Sequence, residues 1–225
     1  MKKFLSLFIV SIAIHVQAQI SLPAYQSIQN STSSVSSCAL SDTTITIGTQ
    51  TWMAKNLEVT TFRDGIPIPE ATTPTAWKNT TAPAWCYPNF DPVNGPIYGK
   101  IYNRYVIQSV SGHAGIGPSG YHIPTDTNWT TLTDYLGGTT VAGGKMKETG
   151  NIHWNSNTAA TNSSCFSARA GGSVGKNGAV LQYLGTSFFC TDVAGNSKSI
   201  TNSSGSISSA TTVNNNGYSI RLIHD

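Results

Sequence analysis

The chain has 225 residues, with 13 Lys+Arg against 10 Asp+Glu, and only 10% of its residues are charged; well under half the usual ~25% share, this leaves solubility to Ser, Thr and Asn. The formal charge of +3 falls to about +1 once Lys2 and Lys3 are set aside (11 basic against 10 acidic residues), and without a basic cluster nucleic acid and anionic membrane are poor partners. The length suits one domain with a tail and a sizeable core.

Met1-Lys2-Lys3 is a basic opening and Phe4–Val16 is apolar apart from Ser6, Ser11 and His15. Val16 and Ala18 are small residues at −3 and −1 of a cut before Gln19, which predicts a secretory signal peptide over residues 1–18. About 13 largely apolar residues are too few to cross a ~30 Å hydrocarbon layer as a helix. No second long apolar run follows, so the expected product is exported, whether secreted, periplasmic or at the cell surface, with no membrane span after cleavage. Residues 19–42 are dominated by Ser, Thr, Gln and Asn, as in Gln29-Asn30-Ser31-Thr32, and read as a leader or linker. The domain is expected over 43–225.

That domain opens on Thr43–Gly48, β-branched residues alternating up to a glycine, a strand signal that Gln50–Thr61 extends. From Phe62 to Pro96 come seven of the ten prolines in 35 residues, which predicts ordered loop rather than regular helix or central strand. Trp77, Trp85, Tyr87 and Phe90 on this stretch must pack onto something. Asn103–Gln108 is a short helix candidate. The clearest helix is Thr125–Leu136, with Thr125 or Asp126 as N-cap, Trp129, Leu132 and Leu136 on one face, and Gly137-Gly138 as the stop. After Gly143-Gly144 the pattern breaks into strand-like pieces, at 165–170, 180–184, 187–191, 200–207 and 218–223. One or two short helices packed on small antiparallel sheets with long ordered loops is an α+β domain.

Export places Cys38, Cys86, Cys165 and Cys190 in an oxidising setting with three possible full pairings. No CxxC occurs and no His stands at zinc-finger distance. Cys165 and Cys190 each border a strand-like run, which points to a Cys165–Cys190 bridge; buried unpaired thiols are the alternative.

Several segments line up in order with a known pattern. Gly48-Thr49-Gln50-Thr51-Trp52-Met53-Ala54-Lys55-Asn56-Leu57, Tyr98-Gly99-Lys100-Ile101-Tyr102 and Pro118-Ser119-Gly120-Tyr121-His122-Ile123-Pro124-Thr125-Asp126 with Trp129 resemble motifs of the Fibrobacter succinogenes major paralogous domain. So do Ala142-Gly143-Gly144-Lys145-Met146-Lys147, Trp154, Phe166-Ser167-Ala168-Arg169-Ala170-Gly171-Gly172 and the closing Ser219-Ile220-Arg221-Leu222-Ile223-His224-Asp225. The resemblance implies an exported, cell-surface domain with a C-type-lectin-like fold related to formylglycine-generating enzymes, a family for which no general activity is established. Members often carry cysteines where this chain has Gly117 and Leu222, so a bridge at that place is excluded.

Trp52 and Met53 are expected to cover the core, and Gln50 and Asn56 to bond loop carbonyls and amides. Trp129 reads as core rather than a ligand platform, and His122, held extended before Ile123-Pro124, as a hydrogen-bonded structural histidine with a site role as the alternative. Arg221 is expected to face outward or to pair with Asp126 or Glu148. No nucleophile elbow is present, nothing in spacing joins His113, His122 or His153 to a nucleophile, and Asp64, Glu70, Asp91, Asp126 and Glu148 form no directed pair. No cofactor is expected; a calcium site would have to be built on Asp192 and Asn196, with little charge for a hard cation. Recognition of a glycan or a surface protein is therefore expected through Trp77, Trp85, Tyr87 and Phe90 on the proline-rich loop, with Asn215 and Tyr218, because loops on a rigid scaffold carry recognition. An enzyme of undetermined reaction and an accessory subunit of a surface assembly are the alternatives.

Overall fold

A computed structural model describes Cys38 and residues 43–211 and 216–225. The predicted signal peptide, the rest of the leader and Asn215 lie outside these described residues. The fold is mixed α and β, with few short helices around two sheets. The smaller sheet holds β1 (Thr44–Ile47), β2 (Gln50–Met53), β5 (Tyr121–His122) and β12 (Ile223–His224), in the antiparallel order β1-β2-β12-β5. The larger sheet contains β3 (Trp85–Cys86), β4 (Ile101–Asn103), β8 (Thr186–Cys190), β9 (Asn196–Thr201), β10 (Ile207–Thr211) and β11 (Gly217–Ser219), ordered β10-β9-β8-β11-β4-β3. Its pairs are antiparallel except β8 with β11. Two further short strands, β6 (Ser173–Val174) and β7 (Val180–Leu181), join it through β11.

Residues 218–223, expected as one strand, instead belong to both sheets. The chain leaves β11, turns through buried Ile220 and Leu222, and enters β12. Ile220 O and Leu222 O accept from Leu57 N (2.8 Å) and Met53 N (2.9 Å), so the crossing is tied to the segment after β2. Likewise 200–207, expected as one strand, spans the end of β9, a turn at Asn202–Ser206 and the start of β10, because Asn202–Ser206 carries turn residues.

Thr125 caps the helix Asp126–Tyr135 as a capping box: its Oγ1 accepts from Asn128 N (3.1 Å) while Asn128 Oδ1 accepts from Thr125 N (2.8 Å). Trp129 and Leu132 face inward, and Gly137 and Gly138 end it at φ 98° and 94°. A second helix, Thr139–Met146, runs through Gly143-Gly144, where the sequence reads as a break. A Cβ on Gly143 would stand 2.2 Å from Ser206 O and one on Gly144 2.4 Å from Ala159 O, so close backbone approach offsets the ~1 kcal/mol helix cost of each glycine. With Pro74–Asn79, Gly95–Tyr98 and Arg104–Ser109 these make five short helices among the described residues, more than the one or two expected. Pro74–Asn79 forms inside the proline-rich stretch because Pro74 opens it behind a Thr73 cap (Ala76 N to Oγ1, 3.1 Å), where proline has no N–H to lose.

The main core joins the two sheets and the longer helices: Trp52 lies 5.0 Å from Trp129 and 5.8 Å from Phe166, and Trp129 5.4 Å from Phe189. Gly117 packs on Leu222, whose Cδ1 would be 2.5 Å from a Cβ at 117. Hydrocarbon contact thus occupies the place where the resembling family often has cysteines.

The disulfide joins Cys38 to Cys165, across 127 residues, not Cys165 to Cys190. Cys165 lies outside the strands, at φ 58°, in a loop rather than the expected strand 165–170. Cys190, on β8, points into the core toward Tyr218 O (3.8 Å). Cys86 and Cys190 are buried and free; β11 and β4 separate their strands, and three strand spacings of about 14 Å are too far for a bridge. No helix among the described residues is long and apolar enough to cross a membrane.

Candidate functional site

The aromatic residues expected to carry recognition mostly turn inward. Trp77 is 0% exposed and lies on Gly217, where a Cβ would meet its ring at 2.4 Å. Trp85 is 5% exposed and donates Nε1–H to Ile68 O (2.8 Å); Tyr218, also 5% exposed, packs 5.7 Å from Phe188. Tyr87 and Phe90 remain half-buried. A proline-rich loop has few ladder bonds to hold it, so its indoles are used as anchors.

Arg221 corrects a second expectation: it neither faces outward nor pairs with Asp126 or Glu148, but is 2% exposed. Its Nε donates to Asn56 Oδ1 (2.8 Å) and its Nη1 to Met53 O (3.3 Å), Ala54 O (3.0 Å) and Phe166 O (2.9 Å), with the guanidinium 4.4 Å from the Phe166 ring. Burial, and then the neighbouring Arg169, pull its pKa down to about 9. The rigid fork of donors suits carbonyls converging from a strand-poor region. Asn56 Nδ2 continues the network to Tyr98 O (2.8 Å), and Gln50 Nε2 donates to Asn128 O (3.0 Å).

Three histidines each meet a separate carboxylate. His122 Nδ1 lies 2.6 Å from Asp225 Oδ1, and His113 Nδ1 2.8 Å from Asp64 Oδ2, which holds the Asp64 carboxyl below its ordinary range. His153 Nδ1 lies 2.5 Å from Glu148 Oε2 and belongs to a larger cluster. Glu148 Oε1 also takes the Arg169 fork (Nε 3.0 Å, Nη2 2.7 Å), and Arg169 Nη1 reaches Ile97 O (3.1 Å). The Tyr98 ring packs edge-on against His153 (5.6 Å) and Tyr183 (5.7 Å), and Tyr183 donates to Asn94 Oδ1 (2.9 Å). Burial first, and the Tyr183 hydroxyl second, push the Tyr98 phenol above its usual range. Exposed Val93 and Ile152 (69% and 88%) flank the cluster in sequence, beside Asn94 and His153. No spacing in the sequence joins these residues; they meet because the proline-rich loop folds onto the segments 148–157 and 169–183.

A groove of about 410 Å³ is lined by Met53, Lys55, Asn56, Leu57, Glu58, Val59 and Pro118. Behind this segment Lys100 donates its backbone N–H to Leu57 O (3.0 Å), and its ammonium lies over the rings of Trp85 (4.6 Å) and Tyr87 (5.1 Å). Asn196, considered for calcium, donates instead to Asp126 Oδ2 (3.4 Å), whose Oδ1 pairs with Lys198 (2.7 Å). Among the described residues no three His, Cys, Asp or Glu gather as metal ligands. Burial raises both free thiols, Cys190 to about 12, so neither supplies thiolate at neutral pH.

No curated protein and no solved structure matches the chain. The sequence profile of the Fibrobacter succinogenes major domain matches residues 45–224, from the first strand to the last. The chain therefore belongs to the Fibrobacter succinogenes major domain family.

Proposed function

We propose that this is an exported, non-catalytic recognition module, secreted or held at a cell surface, that adheres to a glycan or a surface protein. The observation that carries the reading is the half-buried cluster where the proline-rich loop meets residues 148–157 and Tyr183. Its half-buried members are two rings, Tyr183 and His153, and two planar charged groups, Glu148 and Arg169, seated on buried Tyr98 and Asn94. Aromatic faces beside fixed planar polar groups are what a sugar ring or a peptide surface needs, and rigid rings lose little entropy on contact. The same reading takes the two sheets and their long ordered loops as a C-type-lectin-like scaffold, and the Cys38–Cys165 bridge agrees with an oxidising compartment.

Binding of the intact chain to glycan and surface-protein panels tests this. Tyr183→Ala is expected to lower affinity about tenfold or more, as loss of an aromatic anchor does; unchanged binding would sink the assignment. One observation favours a second reading, an enzyme on an extracellular substrate: the 2.5 Å Glu148–His153 contact is an oriented imidazole–carboxylate pair. Turnover by the wild type that vanishes in His153→Ala would establish that reading instead.

A further inference from the structure

Nine non-glycine residues take positive φ among the described residues, and four of them, Ala159 (60°), Asn162 (49°), Cys165 (58°) and Ser167 (52°), fall within 159–167. Left-handed backbone is costly for an L side chain, least so for asparagine, so this loop keeps its path only against ties from outside. Most of the ties are hydrogen bonds. Thr161 N donates to Gly144 O (2.8 Å) and Ser164 N to Lys145 O (3.1 Å), while Asn162 Nδ2 donates to Ser167 Oγ and Asn162 Oδ1 accepts from Ser167 N (both 2.9 Å). One tie is covalent, the Cys38–Cys165 bridge.

Both ends of the loop run into the cluster around Glu148. On one side Asn157 Nδ2 donates to Glu148 O (2.6 Å) and Gly150 O (2.7 Å). On the other, Phe166 O accepts from Arg221, Ala168 N donates to Met146 O (2.9 Å), Ala168 O accepts from Glu148 N (3.1 Å), and Arg169 closes on Glu148 Oε1. Glu148 is therefore gripped by two segments whose placement the loop sets, and its second carboxylate oxygen orients His153. The cysteines differ in reach: Cys38 and Cys165 are half-buried, whereas Cys86 and Cys190 are buried, so thiol–disulfide exchange is directed to the bridge.

We propose that the Cys38–Cys165 disulfide is a redox clip on the candidate recognition site: closing it sets the 159–167 loop and with it the Arg169–Glu148–His153 pairing, and opening it loosens both. This rests on the recognition reading above and names the regulation of that site. Closure joins the two thiols in an S–S bond while a disulfide oxidant takes up their two electrons and two protons and becomes a dithiol. A dithiol reductant reverses the step, leaving as its own disulfide while Cys38 and Cys165 each regain a proton. A chain in a reducing compartment thus carries a loose site and gains the preorganised one on export.

The test compares the intact oxidised chain, the same chain in dithiothreitol, and Cys38→Ser, which opens the clip without reductant. Amide exchange and the Arg169 Nε–H resonance are followed by NMR, and affinity is measured for the panel glycan or protein that the oxidised chain binds. The open forms are expected to exchange the 157–169 amides about tenfold faster or more and to shift the Arg169 signal, while the Asp126–Tyr135 helix keeps its protection. Affinity should fall about fivefold or more, and reoxidation with glutathione disulfide should restore the reduced chain. Ala159→Gly relieves left-handed backbone at an exposed position, so its response to dithiothreitol should be smaller than that of wild type. A lower melting temperature with unchanged 157–169 exchange and an unmoved Arg169 signal makes the bridge a staple of the whole fold and overturns the inference, as does outright unfolding of both open forms. Equal affinity of oxidised and open forms also overturns it and leaves the recognition reading standing. An oxidised chain that binds nothing on either panel overturns the recognition reading alone, because exchange and the Arg169 signal decide the clip without a ligand.

Discussion

Around Arg221 and Lys147, irregular backbone is held by cations whose donors are taken up by carbonyls: Met53, Ala54 and Phe166 on Arg221, and Thr158, Thr201 and Ser204 on Lys147. Around Lys100 the order is reversed. Indoles anchor the proline-rich backbone, Trp77 against Gly217 and Trp85 to Ile68 O, and the cation is left with rings in place of acceptors. A cation in this protein is thus a pin bonded to carbonyls in one region and a side chain laid over aromatic rings in the other. Physically, carbonyls that converge without a ladder partner need donors, whereas a proline-rich loop has fewer N–H groups to satisfy and is held by apolar contact.

The largest effect is expected where the pin is most shared. Arg221→Met removes the donors to Asn56 Oδ1 and three carbonyls while filling the volume, and should cost about 3–5 kcal/mol because several buried acceptors are stranded together. An unfolding free energy from urea titration within about 1 kcal/mol of wild type would show that water replaces the guanidinium and that the pin is not structural.

Lys147→Met strands three carbonyls but also removes an ammonium from a 0% exposed site, so a smaller loss of about 2–3 kcal/mol is expected. The pH dependence has a definite sign. Burial lowers the Lys147 pKa below its ordinary 10.5, so across that window the unfolded chain holds a proton that the folded chain has released. Stability from this group therefore rises with pH, and the wild type should gain on Lys147→Met between neutral pH and pH ~10.5. Paired urea titrations at the two ends measure it; a gap that narrows with rising pH contradicts the assignment.

Parts of this contrast are legible in the sequence. Thr125, Trp129, Leu132 and the Gly137-Gly138 stop define the Asp126–Tyr135 helix because capping, period and termination agree locally. Thr44–Ile47 follows from alternation alone. The helix through Gly143-Gly144 does not, since its glycines answer to Ser206 and Ala159, which are distant in sequence. The split of 218–223 between two sheets and the Cys38–Cys165 pairing are tertiary facts of the same kind. At the candidate site, chemistry-bearing side chains are visible as types, but burial decides their use. Trp77 and Trp85 read as ligand platforms until the loop is seen folded under them, and Arg221 reads as outward because strand alternation does not extend across the crossing between sheets.

The smallest expected effect separates the two regions most sharply. Lys100→Met gives up a cation–π attraction worth about 0.5–1 kcal/mol where water reaches the ammonium. Methionine fills the space and keeps sulfur against the rings of Trp85 and Tyr87, worth up to ~1.5 kcal/mol. The terms nearly cancel, and a stability change within about 1 kcal/mol of wild type is expected in urea titration. A loss comparable to that of Lys147→Met would mean that the rings hold Lys100 as a pin after all and that the two regions do not differ.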